Sequence, residues 1–301
     1  MSSSPQPGET VKPQRPAWQG ALFRVARIGV AFLIVVHGYL WLAQEQMLFY
    51  PRPLQAHVAA AVRKAVPGVE EVTLAGADGT RLHGWFVPAH GAGAAAPVLI
   101  YFGGNAEEVS GFALDAGELP GVALAFFNYR GYGLSKGQPG EQALFADALA
   151  VYDHIAARAD VDAKRIVVMG RSLGSGVAAY LASQRPAGAV ILVTPYDSIA
   201  AVAQAMYPFV LVDLLLRHRF DSASRAPSIR APALVIAASR DTLIPPAHAA
   251  ALAKAWRGPV THVVLAGADH NDVHHHAEYW PRIRGFLRAS FSAAGRGAPG
   301  H

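Results

Sequence analysis

The pentapeptide Gly170-Arg171-Ser172-Leu173-Gly174 constrains this 301-residue chain more than any other segment. An apolar run, Arg165-Ile166-Val167-Val168-Met169, precedes it, and a helical stretch from Val177 to Ala182 follows. A G-x-S-x-G motif between a strand and a helix fits a sharp, strained turn that lifts its serine clear of the sheet. A side chain at either flanking position collides with the neighbouring strand or helix, so both positions demand glycine. Ser172 then stands at a helix start, where backbone N–H groups without helical partners favour developing negative charge. The alternative is a glycine-rich strand-to-helix turn that holds an incidental serine.

The rest of the chain supplies a setting for such a turn. Strand-like runs fall at 69–75 and 81–87, with Asp78-Gly79 between them as a hairpin turn. Ala89 to Pro97 reads as a small-residue loop, and residues 98–102 as a strand buried on both faces. Helix 107–117, strand 122–128, helix 141–157, strand 165–169, helix 173–184 and strand 189–193 follow. Strand 233–238, helix 247–256, strand 260–265 and helix 278–290 complete the set. Strands alternating with helices predict a largely parallel sheet covered on both faces, with antiparallel strands at its start. At 52% hydrophobic and 16% charged residues, the chain can bury a sizeable core. One globular domain over 69–291 is expected. Residues 198–230 interrupt the rhythm with the apolar stretch 205–216, too short to span a bilayer. It is either an ordinary packing helix or an apolar cap over the site that touches lipid.

The N-terminal third reads differently. Residues 1–19 are rich in Ser, Pro, Gly and Gln and are expected to form a disordered tail. Ile28 to Ala43 carries no formal charge, and it reaches a spanning length if Arg24 and Arg27 snorkel to the interface. Tyr39 and Trp41 supply interfacial aromatics at the other end. A core helix would be an odd addition to a complete domain, and Leu42-Ala43-Gln44-Glu45 is a poor cleavage site for a signal peptide. The expectation is therefore an uncleaved transmembrane signal anchor at 20–44, a connector at 45–68 stopped by Pro51 and Pro53, and a second disordered tail at 292–301. Basic residues precede the span, which predicts a cytoplasmic N-terminus and a globular domain on the far side: in a bacterium, an inner-membrane protein facing the periplasm.

A serine nucleophile needs a base, and the base needs an orienting carboxylate. After a G-x-S-x-G elbow the chain order is Ser, then acid, then His. Asp241 directly follows strand 233–238, and His270 follows strand 260–265, so Ser172, Asp241 and His270 come in that order, each after a strand. Asp197, after strand 189–193, competes as the acid. Asp241 itself has a turn or N-cap reading. His274, His275 and His276 cannot all face one ion and have no carboxylate cluster beside them, so no metal site is expected. An oxyanion is expected to meet the backbone N–H of Leu173 and a second donor in the loop Gly103-Gly104-Asn105 after strand 98–102. The absence of cysteine excludes a thiol nucleophile and a disulfide framework. The net charge of +5 sits near both termini, with no basic stripe interleaved with aromatics, so no nucleic-acid partner is expected.

Taken together, these segments resemble the serine hydrolases of the α/β-hydrolase superfamily, in particular a membrane-anchored subgroup with depalmitoylase-like and peptidase-like relatives. The matching pieces are Tyr101 to Ala106, Phe127 to Ser135, Gly170 to Gly176, Arg240-Asp241 with Ile244-Pro245, and His270-Asn271-Asp272. The resemblance implies the α/β-hydrolase fold, a catalytic triad of Ser172, Asp241 and His270, and oxyanion contacts near Gly104, Asn105 and Leu173. It implies no cofactor. Relatives commonly begin the oxyanion loop with His-Gly, whereas this chain has Phe102-Gly103-Gly104. Asn128-Tyr129-Arg130-Gly131-Tyr132-Gly133 is expected as a structural turn beside the pocket. The activity so implied is hydrolysis of a small-molecule or lipid-like acyl ester or thioester. A peptidase and a non-catalytic binding protein are the alternatives.

Overall fold

The computed structural model describes residues 17–89 and 95–296. The chain divides into two compact units, one ending at Gln44 and one starting at Glu45. Within the first unit runs most of helix α1 (Ala17–Leu48). It is the one helix among the described residues long and apolar enough to cross a membrane, with a mean hydropathy of 1.8 over its most apolar stretch. The helix is longer at both ends than the expected 20–44 segment. Ala17 to Gly20 and Gln44 to Leu48 contain no proline and no β-branched residue, so nothing stops the helix until Pro51. Of the expected tail 1–19, residues 1–16 lie outside the described residues.

The expected connector holds a second helix, α2 (Ala56–Ala65), rich in alanine, which buries Ala59 and Val62 at i and i+3. Strands β1 (Glu70–Ala75) and β2 (Arg81–Val87) form the hairpin around Gly79, whose φ of +79° suits glycine. Then come β3 (Ala96–Phe102), a three-ten helix (Val109–Glu118), β4 (Ala123–Phe127) and α3 (Glu141–Ala156). The three-ten helix occupies the stretch expected to be α-helical, where Gly111 and Gly117 lower the propensity for a regular helix. The chain continues through β5 (Val161–Arg171), α4 (Leu173–Gln184) and β6 (Ala189–Val193). Next are α5 (Ile199–Met206), α6 (Val212–Leu215) and α7 (Ser222–Arg225). The second unit ends with β7 (Ala233–Ala238), α8 (Pro246–Ala255), β8 (Val260–Leu265) and α9 (Tyr279–Arg296). Helix α9 takes in residues 292–296 of the expected tail, and 297–301 lie outside the described residues.

Among the described residues eight strands form one sheet in the order β1-β2-β4-β3-β5-β6-β7-β8. Pairs β1–β2 and β2–β4 are antiparallel, and every later pair is parallel. This is the expected mostly parallel sheet with an antiparallel start. Strands β3 and β4 are buried on both faces, which is why they read as unbroken apolar runs. One core cluster lies on each face: Phe86, Ile100, Val168 and Leu192 in one, Trp85, Leu99, Val167 and Ile191 in the other. The parallel strands place the ends of β3, β5, β6, β7 and β8 on a single edge of the sheet, the edge where such folds collect polar loops.

An ion network, buried at Arg130 and Asp147 and exposed at Asp78, fixes the turn after β4. Arg130 donates Nε and Nη2 to the two oxygens of Asp147, both at 2.7 Å, and grips Asp78 at 2.6 and 3.1 Å. Burial pushes the Asp147 carboxyl up, against the pull of Arg130, so this pair holds only while it is complete. Arg130→Met is expected to cost about 3–5 kcal/mol by stranding that carboxylate. Adding Asp147→Leu is expected to recover much of the loss. Urea unfolding of the wild type and the two variants tests this, and equal losses in the single and double variants contradict it.

Candidate active site

Ser172 sits between β5 and α4 with φ +50° and ψ −120°, a conformation in which L residues are strained. Its neighbours show why the turn needs glycine on both sides. A Cβ on Gly170 would lie 2.1 Å from the carbonyl oxygen of Gly174, and a Cβ on Gly174 would lie 2.1 Å from that of Phe102. Both obstacles are backbone and cannot rotate away. The Ser172 N–H donates to Val193 O at 2.9 Å, and the Ser175 hydroxyl donates to Ser172 O at 2.6 Å, which ties the strained residue down on two sides.

Two further residues from the same sheet edge reach Ser172. Its hydroxyl lies 3.0 Å from His270 Nε2, and His270 Nδ1 lies 2.7 Å from Asp241 Oδ2. A carboxylate only accepts, so Nδ1 carries the hydrogen and Nε2 is left to accept the serine proton. Asp241 Oδ1 in turn accepts the N–H groups of Leu243 at 3.0 Å and Ile244 at 2.7 Å. The Asp241 and His270 side chains are 1% and 5% exposed. The three residues expected from the sequence are thus brought into one line. The competing acid, Asp197, is engaged elsewhere: it accepts from His248 Nδ1 at 2.8 Å and from its neighbour's N–H. His274 and His275 lie in a three-ten turn. Among the described residues no group of three or more His, Cys, Asp or Glu is arranged to hold a metal ion.

The loop Gly103-Gly104-Asn105 passes beside the serine. A Cβ added at Gly104 would lie 3.7 Å from Ser172 Cβ. The Gly104 N–H, however, donates to Glu107 Oε2 at 2.8 Å. Of the expected oxyanion residues Gly104, Asn105 and Leu173, Gly104 therefore has its N–H engaged, and Leu173 lies in the first turn of α4. Glu107 also accepts the Tyr101 hydroxyl at 2.8 Å and Arg171 Nη1 at 3.1 Å. Arg171 Nη2 donates on to the carbonyl of His270 at 3.4 Å. Arg171, the variable residue of the elbow, therefore connects Glu107, which holds the Gly103-Gly104-Asn105 loop, to the loop of His270.

Sequence reading did not find what holds these segments. Three tyrosine hydroxyls donate to three carbonyls around the site: Tyr129 to Gly103 at 2.8 Å, Tyr132 to Asn105, and Tyr196 to Leu173 at 2.9 Å. With those carbonyls held, the peptides they belong to have little freedom to turn. The signal was present in kind: a buried tyrosine hydroxyl requires a partner. The identity of the partner is a matter of tertiary placement. Arg130, from the same turn, is spent on the carboxylates of Asp78 and Asp147, as befits a structural turn.

Comparisons with known proteins agree with this architecture. The family described as "Serine aminopeptidase, S33" matches residues 94–219. The chain is 37% identical over 236 residues to an uncharacterised protein, Rv2307c, of Mycobacterium tuberculosis, an alignment covering 78% of this chain and 83% of that one. It is 32% identical over 198 residues to the alpha/beta hydrolase domain-containing protein WAV2 of Arabidopsis thaliana, covering 60% and 64% of the two. Among solved structures, the Pyrococcus furiosus esterase Pf2001 superposes with a TM-score of 0.64 at 18% identity, over 81% of this chain and 97% of that one.

Proposed function

We propose that this chain, which belongs to the α/β-hydrolase superfamily, is a membrane-anchored serine hydrolase that cleaves carboxylic esters or thioesters through an acyl-enzyme. The observation that carries the reading is the line from Ser172 Oγ through His270 to Asp241, at 3.0 and 2.7 Å. Ser172 Oγ attacks the substrate carbonyl as His270 Nε2 takes its proton. The imidazolium, stabilised by Asp241, passes that proton to the departing alcohol or thiol. Water then attacks the acyl carbon with His270 again as base, and Ser172 leaves with the proton restored. The oxyanion of both tetrahedral intermediates is met by the N–H groups of Leu173 and Asn105. No metal or cofactor takes part in these steps.

The anchor is α1, and Arg24 and Arg27 ahead of its apolar stretch support a cytoplasmic N-terminus with the hydrolase domain on the far side. An apolar acyl chain as substrate is supported by the segment between β6 and β7, which leaves from the site's edge of the sheet. Its Phe209, Leu211 and Leu214 are 89%, 60% and 79% exposed, more apolar surface than a simple packing helix presents. A serine peptidase is the second reading, favoured by the description of the matching family.

A fluorophosphonate probe separates these readings from a non-catalytic binding role. The expected result is one covalent adduct, mapped by peptide sequencing to Ser172. It is accompanied by faster hydrolysis of long-acyl than acetyl esters and no release from aminoacyl amides. A folded protein that takes no adduct overturns the hydrolase reading, and preferential cleavage of the amides installs the peptidase.

A further inference from the structure

We infer that the strap Leu48–Arg52, by which the chain leaves the candidate membrane helix, is a positioning element of the oxyanion site. The inference rests on the hydrolase reading above. Asn105 offers one of the two candidate oxyanion donors through its backbone N–H, and its remaining contacts lead to the strap. Its side-chain amide donates to Leu48 O at 3.3 Å, and its carbonyl accepts Tyr50 N–H at 3.2 Å. That carbonyl also accepts the Tyr132 hydroxyl, which itself accepts Tyr50 N–H at 2.8 Å. One residue beyond Tyr132, Gly133 N–H donates to Arg52 O at 2.7 Å. The strap is fastened to the core by Phe49, which is 4% exposed and stands edge-on to His218 and Phe220 at ring distances of 5.2 and 6.4 Å.

The physical need is plain. A loop that begins Gly103-Gly104 has little stiffness of its own. An oxyanion donor must be held within about half an ångström of its working position, and a displacement of about 1 Å can cost on the order of 100-fold in rate. Tyr129 and Glu107 hold the loop's glycines; at Asn105 the stiffness is supplied by a segment about 55 residues earlier in the chain. Burial pushes the Tyr132 hydroxyl up to about 12, so it stays protonated and keeps donating to Asn105 at any working pH. The peptide that ends α1 is also the one that holds the loop: Leu48 is the last residue of the helix and the acceptor for Asn105.

The test uses the full chain in detergent, a soluble aryl butyrate ester, and a trifluoromethyl ketone that mimics the tetrahedral intermediate. Active sites are counted by fluorophosphonate titration, so losses of folded protein drop out. Tyr132→Phe removes the hydroxyl shared by strap and loop. Phe49→Leu loosens the strap and leaves the loop intact. Both are expected to lower kcat per active site and weaken the ketone by the same factor, about 10-fold or more for Tyr132→Phe and about 3-fold for Phe49→Leu, with KM nearly constant. An active wild type whose variants keep kcat and ketone affinity within about two-fold overturns the inference. If Tyr132→Phe does not fold, Phe49→Leu alone decides it. A wild type that neither turns over nor labels overturns the hydrolase reading and this inference with it.

Discussion

Ser172→Ala and His270→Ala are each expected to lower kcat for a good ester by on the order of 10⁶-fold, and the double variant to lose no more than either alone. The reason lies in the 3.0 Å contact between Ser172 Oγ and His270 Nε2. A serine hydroxyl without its base is barely nucleophilic, and a base without its serine has nothing to deprotonate but water. Either deletion therefore removes the whole covalent route. What survives comes from the oxyanion donors and from binding, about 10³–10⁴-fold over the uncatalysed rate. Steady-state kinetics of the two single variants and the double variant, with KM measured alongside, give the answer. Losses that multiply would mean that the two residues act independently, and the line from serine to histidine would not be the reaction path.

Asp241→Asn is expected to lower kcat by on the order of 10⁴-fold with little change in KM or in folding. The local hydrogen bonds force this outcome. The N–H groups of Leu243 and Ile244 both point at Oδ1, so the asparagine must keep its oxygen there to satisfy them. Its NH₂ then faces His270 Nδ1, where a carboxylate oxygen used to accept. Two donors cannot face each other, so the imidazole adopts the tautomer with its hydrogen on Nε2, toward Ser172. In that state it cannot accept the serine proton. The signature is a residual rate that rises with pH as hydroxide replaces the missing base, together with an unchanged unfolding transition. A variant that keeps more than about a tenth of wild-type kcat would show that Asp241 does not set the tautomer.

Much of this arrangement is legible in the sequence, for definable reasons. Buried parallel strands such as Val98 to Phe102 and Ala189 to Val193 announce themselves as unbroken apolar runs. The elbow is legible because steric demand leaves glycine alone at 170 and 174, and the order of Ser172, Asp241 and His270 follows from one residue per strand end. Helix α2 was not legible: it follows two prolines, and its apolar face needs only Ala59 and Val62. Nor was the capture of Gly104 N–H by Glu107, which needs a side chain three residues away to fold back. The strap was the hardest. Its contacts to Asn105 are made by main-chain atoms of Leu48 and Tyr50, and a backbone amide leaves no mark in the residue type that carries it.

Each of Ser172, Asp241 and His270 stands at the end of its own strand, while the segment between β6 and β7 starts from the same edge and supplies none of them. On the proposed reading, in which residues 199–216 face the acyl chain, substitutions within that segment alter which compound a lineage admits while the three residues that cut it are inherited unchanged.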